Sequence, residues 1–389
     1  MSRVSRSKLG QSQHGASQKG EFERSHHITL ADYITALVWS QDGTLLTAAS
    51  SAGEVTAWDW EAITMASGGH VTRADVKNVF ATQAIPLLAA SPNHAISCLD
   101  ISTTQLVAAG GQDGTVSVWN AQSPDGSKGS LLGDGNHWID QLTWHPTRDY
   151  LAFSAGPCVQ VWDVPAQQQI ATLNFDASSA LGIAWHPSAD LLAISGHGGV
   201  KFWNSVTWEE ESYQLEVPGA SISLDWSPDG TYLASGNLDR TLSVLHLHSP
   251  PPWLMQGFPG KVRCVSWSPN YSDVSITQSP QVAAACANGV TIWEQESDGK
   301  TWHSSVLEGH RGTVQAIAYH PTQFLLASGA ADGQVCLWHR AKKLSQRLKT
   351  KSPGVSCLAW HPDGHGLAVG CADGTIELWI PSQRGRGFQ

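Results

Sequence analysis

Charge is scarce in this 389-residue chain: Asp, Glu, Lys and Arg make up only 14% of it. The balance is acidic, with 23 Lys and Arg against 33 Asp and Glu and a formal net charge of −10. Binding to a nucleic-acid backbone rests on clustered cations, so this composition argues against a general nucleic-acid binder. No run of about 18 apolar residues occurs, so no membrane insertion is expected. Arg3, Arg6 and Lys8 are not followed by the apolar stretch of a secretory leader. The seven cysteines include no Cys-x-x-Cys pair. Their odd number and the absent leader point to a reducing compartment, and a cytoplasmic location is the expectation. Buried small apolar residues are the ordinary reading of such cysteines.

What the chain has in quantity is tryptophan, histidine, glycine and proline: 18, 17, 37 and 19 copies. The tryptophans fall in two series. Trp39, Trp144, Trp185, Trp226, Trp267 and Trp360 end one hydrophobic run of each repeating unit, with Tyr319 in the same series; Trp58, Trp119, Trp162, Trp203, Trp293, Trp338 and Trp379 end another. From Trp144 to Trp267, and from Tyr319 to Trp360, the step is 41 residues. A fixed period of that size marks a repeat architecture, whose units pack on their neighbours and so escape the size limit of a single core.

Each unit reads as three short strands separated by turns. In the clearest, Val314 to Tyr319 is a strand, His320-Pro321-Thr322-Gln323 a turn, Phe324 to Ser328 a strand, Ala331-Asp332-Gly333 a hairpin turn and Gln334 to Trp338 a strand. Proline cannot donate to a sheet ladder and Asp-Gly favours hairpin turns, so both punctuate strands. Eight units start near Ile34, Ile96, Ile139, Leu181, Ile222, Val262, Val314 and Val355. Unit one has Ser51-Ala52-Gly53-Glu54 in place of the Asp turn, and unit two places Asp100 where the first tryptophan is expected. The segment after each closing tryptophan supplies a fourth, outer strand, such as Gln167 to Asn174 or Glu211 to Val217. The last unit has almost no chain left for its own, and residues about 23 to 30 are expected to fill that place and close a ring. Residues 1–22 form a polar tail with too few apolar groups to fold. Residues 23–380 then make one domain, and 381–389 a short flexible end.

This pattern resembles the WD-repeat β-propeller family over about residues 23 to 380. Trp58-Asp59, Trp162-Asp163, Gly309-His310 and the turns Ser227-Pro228-Asp229-Gly230 and His361-Pro362-Asp363-Gly364 carry the resemblance. It implies an all-β propeller of eight four-stranded blades, with seven, the commonest number in the family, as the alternative. It also implies that His310, Ser328, Asp332 and Trp338 form a structural hydrogen-bonded tetrad rather than a hydrolytic triad. Partial copies at His94, Asp113 and Trp119, and at Ser235 and Asp239, suit a scaffold; a catalytic site is assembled once and in full.

Histidines do not converge on a metal. His145, His186, His320 and His361 occupy equivalent turns, but zinc needs ligands at about 2.0–2.1 Å, while facing sheets stack about 10 Å apart. His26-His27 and His246-Leu247-His248 are better spaced, yet polar strand ends explain them. No metal, catalytic residue or cofactor is expected. Two charge clusters read as solvated outer strands or as a docking edge: the basic run from His339 to Lys351, and Glu209, Glu210, Glu211 and Glu216.

Strand order places the hairpin turns and the connections leading into each inner strand on one rim. These lead-in turns carry Tyr33, Trp138, Asp140, Lys261, Arg263 and Arg311, and Trp138 lies outside the tryptophan register. Aromatic and Arg residues are the usual interface anchors. The expectation is a monomeric, non-enzymatic scaffold that binds a protein or peptide partner on this rim. A metal-handling or enzymatic propeller using histidines near the channel mouth is the alternative.

Overall fold

A computed structural model describes all residues except 1–20, 61–83, 89–93, 122–128, 176–177, 189–190, 248, 250, 270–279 and 383–389. Its described secondary structure is almost wholly antiparallel strand. The eight units lie in seven hydrogen-bonded sheets, six of four strands and one of six. The larger sheet arises because Glu210–Trp226 runs unbroken from unit four to unit five. Its first half pairs with the hairpin of unit four (Val200↔Leu215, Trp203↔Glu210), and its second half with the next strand of unit five (Leu224↔Ser235, Trp226↔Leu233). The other lead-in turns interrupt the chain at this point.

Each inner strand touches the next, from Ile34–Trp39 round to Val355–Trp360 and back to Ile34–Trp39. The core follows the same plan. Buried apolar side chains form clusters between neighbouring units, and Leu30, Ile34, Leu37 and Trp39 pack with Ala368, Ile376 and Leu378 to join the last unit to the first. The outer place of the last sheet is taken by Phe22–Thr29, paired antiparallel with Thr375–Pro381. The closing strand therefore begins one residue earlier than the sequence pattern suggests, and Pro381 belongs to the last strand rather than to a tail. The rest of both expected tails lies outside the described residues, apart from Glu21 and Ser382.

The first tryptophan series acts across the seams. Trp39, Trp144, Trp185, Trp226, Trp267 and Trp360 each donate their indole N–H to a backbone carbonyl of the preceding unit's inner strand, at 3.0 to 3.3 Å. Tyr319 keeps the same seam polar by donating its hydroxyl to Gln281 Oε1 at 2.9 Å. Unit two corrects the sequence reading. Trp39 pairs with Leu46 and Ile101 with Val107, so Ile101, not Asp100, holds the tryptophan position. Asp100 is the register equivalent of Asp225, one place before Trp226. Both carboxylates accept a backbone N–H from the next unit, Trp144 N to Asp100 and Trp267 N to Asp225, each at 2.8 Å.

Candidate functional site

The turns opposite the lead-in rim are occupied by structural bonds. His361 Nε2 lies 3.0 Å from Gly43 O, His186 Nε2 2.9 Å from Gly230 O, and His320 Nε2 3.1 Å from Gly364 O, each reaching the next unit. Their Nδ1 atoms accept backbone N–H groups two residues on, from Asp363, Ser188 and Thr322, at 3.1 Å. Nδ1 as acceptor makes Nε2–H the donor, so these rings are neutral and fully engaged. The three glycines have φ near +72°, and a Cβ on any of them would lie 2.1 to 2.5 Å from the imidazole. A side chain there would both strain the turn and displace the ring. His361, Asp363 and His365 bring three potential ligand atoms within 4.8 Å of one another. With both His361 nitrogens committed, that group offers a metal only Asp363 and His365 without rearrangement.

The tetrad of unit seven is assembled. Trp338 Nε1–H donates to Ser328 Oγ at 2.8 Å, and Ser328 Oγ lies 2.8 Å from His310 Nε2. His310 Nδ1 is 3.5 Å from Asp332 Oδ1, long for a hydrogen bond. Asp332 Oδ2 accepts the Arg311 N–H at 2.7 Å. His310 and Ser328 are both buried, so the serine hydroxyl is closed off from any substrate. Unit five carries a different buried network. Ser235 Oγ bonds Ser221 Oγ and Asn237 Oδ1, and Asn237 Nδ2 bonds Thr241 and Ser243 hydroxyls. Sequence reasoning saw only Ser235 and Asp239 of this group.

Burial shifts several of these groups. It lowers the His26, His310, His320 and His361 pKa values, with His27 adding to the effect at His26. It raises Asp100 to about 6 and Asp225 to about 7 against the hydrogen bonds they accept. The two sets act with opposite sign. A depressed histidine favours folding above its unfolded value near 6.5 and loses that contribution as pH falls towards its folded value. A raised carboxyl favours folding below its unfolded value near 3.8 and loses that contribution as pH rises through 6 to 7. Asp225→Asn, which keeps an acceptor for Trp267 N–H, is therefore expected to melt at or above wild type at pH 8. Thermal melts should show that advantage closing by pH 5; a variant less stable at pH 8 than at pH 5, relative to wild type, would contradict the buried-carboxyl reading.

The six lead-in residues are exposed. Trp138 is 62% exposed at the end of a loop whose Gly133 and Gly135 adopt positive φ, and the neighbouring His137 ring lies over Gly156. Asp140 N–H donates to Ser154 Oγ at 3.1 Å, which fixes the base of this loop. Tyr33 follows Asp32, whose carboxylate accepts its N–H at 2.7 Å. Partial burial raises the Tyr33 pKa, with Cys357 adding to the rise and Ser356 opposing it, so the phenol leans towards the inner strand of unit eight. Arg263 lies close enough to Cys264 and Cys286 to oppose the burial that raises both thiols. The structure thus puts all six residues on one rim, spread over units one, three, six and seven. His248 lies outside the described residues. Among the described residues all seven cysteines are free thiols; Cys98 and Cys264 donate across seams to Ile139 O and Gln315 O.

The family profile described as "WD domain, G-beta repeat" matches residues 20–59, 87–120, 212–245, 302–339 and 342–379. The chain belongs to the WD-repeat family. The units it leaves unmatched, three, four and six, have hairpin turns at Gly156-Pro157, Gly198-Gly199 and Ala287-Asn288 in place of the Asp-containing turn. This WD-repeat chain is 24% identical over 249 residues to THO complex subunit 3 of Arabidopsis thaliana, covering 63% of the chain and 62% of that protein. It is 34% identical over 88 residues to Protein CIA1 of the same plant, covering 22% of the chain and 24% of that protein. The matches thus span less than two thirds of these relatives. A chain of the crystal structure of the mitotic checkpoint complex superposes with a TM-score of 0.60 at 20% identity, over 74% of this chain and 91% of the other, a likeness of fold.

Proposed function

We propose that this WD-repeat protein is a non-enzymatic, monomeric, eight-bladed scaffold that binds a protein or peptide partner across the lead-in rim. The observation that carries the reading is Trp138, a large aromatic held out of the core on a braced loop beside Asp140. Eight inner strands in ring contact support the blade count, and the name of THO complex subunit 3 speaks for a role in assemblies. The histidines of the opposite turns, with both ring nitrogens engaged, favour scaffold over metal handling. Cytoplasmic residence belongs to the same reading. Trp138→Ala should leave the melting temperature near wild type while weakening partner capture at least tenfold, since an exposed anchor contributes about 2 kcal/mol or more to binding. His186→Ala, on the opposite side, should destabilise the fold without a selective effect on capture. Capture followed by mass spectrometry checks both. Partners retained in full by a folded Trp138→Ala protein would overturn the proposal.

A further inference from the structure

Lysine and arginine are placed unevenly round the lead-in rim. The lead-in and hairpin turns of units one to four contain neither residue, whereas Arg240, Lys261, Arg263, Arg311 and Lys351 all lie in units five to eight. All five are exposed. Among the described residues, none of them forms an ion pair with a carboxylate. Carboxylates run the other way: Asp32, Glu54, Asp113, Asp134 and Asp140 belong to units one to three. The acids among the cations, Asp239, Asp332 and Asp373, accept hydrogen bonds within their own units, from Thr241, from Arg311 and Gln334 backbone N–H, and from Thr375 N–H. Exposed Glu308 closes an outer strand of this half.

Folding does not require this segregation, because neither the seam clusters nor the indole bonds involve these five side chains. It has a clear electrostatic consequence. Adjacent sheets stand about 10 Å apart, close to one Debye length in physiological salt, so the fields of neighbouring turns add. In a chain with a net charge of −10, one half of one rim is thereby made attractive to anions.

We propose that the rim of units five to eight docks an acidic protein segment, its carboxylates held by this arc of arginines and lysines. Guanidinium groups engage carboxylates in paired hydrogen bonds. Crossing four turns at about 10 Å spacing takes an extended segment of roughly nine residues at about 3.3 Å each. The facing half of the rim, acidic and carrying Trp138, repels a polyanion long enough to cross the whole rim, whereas a protein segment can be acidic over units five to eight and change character beyond them. Nor, among the described residues, does the cationic half expose the aromatic platforms that single-stranded nucleic acids stack on: the exposed large aromatics are Tyr33, Trp138 and Tyr213, on units one, three and four. The inference rests on the rim reading above and adds the chemistry of the partner.

The probe is a fluorescein-labelled decaglutamate peptide, titrated by anisotropy with the full-length chain at low and physiological salt. Decaglutamate is expected to bind, more weakly with added salt, and the Arg263→Glu/Arg311→Glu double variant to bind it at least tenfold less well. Lys342→Glu/Lys343→Glu, on the far side of unit seven, should bind it like wild type, and all variants should melt near wild type. Equal binding by the Arg263→Glu/Arg311→Glu variant, loss only in the Lys342→Glu/Lys343→Glu variant, or tighter binding of an oligothymidine than of decaglutamate would each overturn the acidic-segment inference. Partner capture that depends on Trp138 but not on Arg263 and Arg311 would overturn this inference and leave the rim proposal standing. Capture indifferent to all three would overturn both.

Discussion

Removing residues 1–32 is expected to abolish cooperative folding, while removing residues 1–20 leaves the melting temperature within a few degrees of wild type. The difference lies in what Phe22–Thr29 brings to the last sheet. Phe22 is buried with its ring 5.5 Å from that of Trp360, and its backbone N–H and C=O both bond the Gln346 side chain, at 2.8 and 2.7 Å. Arg24 pairs at 2.9 Å with Glu377, whose side chain is wholly buried. Leu30 N–H donates to Gly374 O at 2.9 Å. Loss of a buried Phe costs about 3–5 kcal/mol, and stranding a buried carboxylate about 3–5 kcal/mol more. Domains have about 5–15 kcal/mol in all. The edge of Thr375–Pro381 would also be left unpaired and prone to association. Circular dichroism melts of the two truncations make the comparison; equal melting would mean that this strand does not close the ring.

The repeat was legible because strands within a unit are close in sequence and their turns have strong local chemistry. A closing strand at about residues 23 to 30 was read as well, and the observed one is Phe22–Thr29. What crosses the seams was not legible. Five of the six indole bonds join residues 42 to 44 positions apart, Trp39 reaches Ala359 over 320, and His361 reaches Gly43 over 318. A repeat displays such partners only once the register is known, which is why Asp100 was mistaken for a tryptophan substitute when Ile101 holds that position. The unbroken Glu210–Trp226 strand has a related cause: Val217-Pro218-Gly219-Ala220 reads as a turn, yet Ala220 pairs with His197 and the strand continues. At the candidate site, the tetrad was readable through the resemblance to WD-repeat propellers, since its residue types alone also spell a Ser-His-Asp triad, and Trp138 because it broke the register. The Arg24–Glu377 pair and the Ser235–Asn237 network were not, since a polar residue in a strand gives no sign of which face it takes.

Tryptophans of the second series separate into two kinds that the sequence cannot distinguish, and this gives the other large expected effect. Trp338 Nε1–H is satisfied by Ser328, whereas Trp58, Trp293 and Trp379 bury their indole N–H groups without a hydrogen-bond partner among the described residues. The difference follows from the residue opposite. The position of Ser328 in unit seven is held by Ala48, Ala284 and Val369 in units one, six and eight, by matching registers. Trp338→Ala should cost about 3–5 kcal/mol, as loss of a buried aromatic does. Trp→Phe is more discriminating, because it keeps most of the ring and removes the N–H. At Trp338 it removes one partner of Ser328, which also serves His310. At Trp58 it removes a buried donor that no described residue accepts, and so relieves a penalty of about 1–3 kcal/mol. The shrinkage of the side chain is common to both. Trp338→Phe is therefore expected to be the less stable by about 1–3 kcal/mol, read as a difference in denaturant midpoint at constant slope. Equal midpoints would show that the Trp338–Ser328–His310 chain adds nothing beyond the packing of its rings.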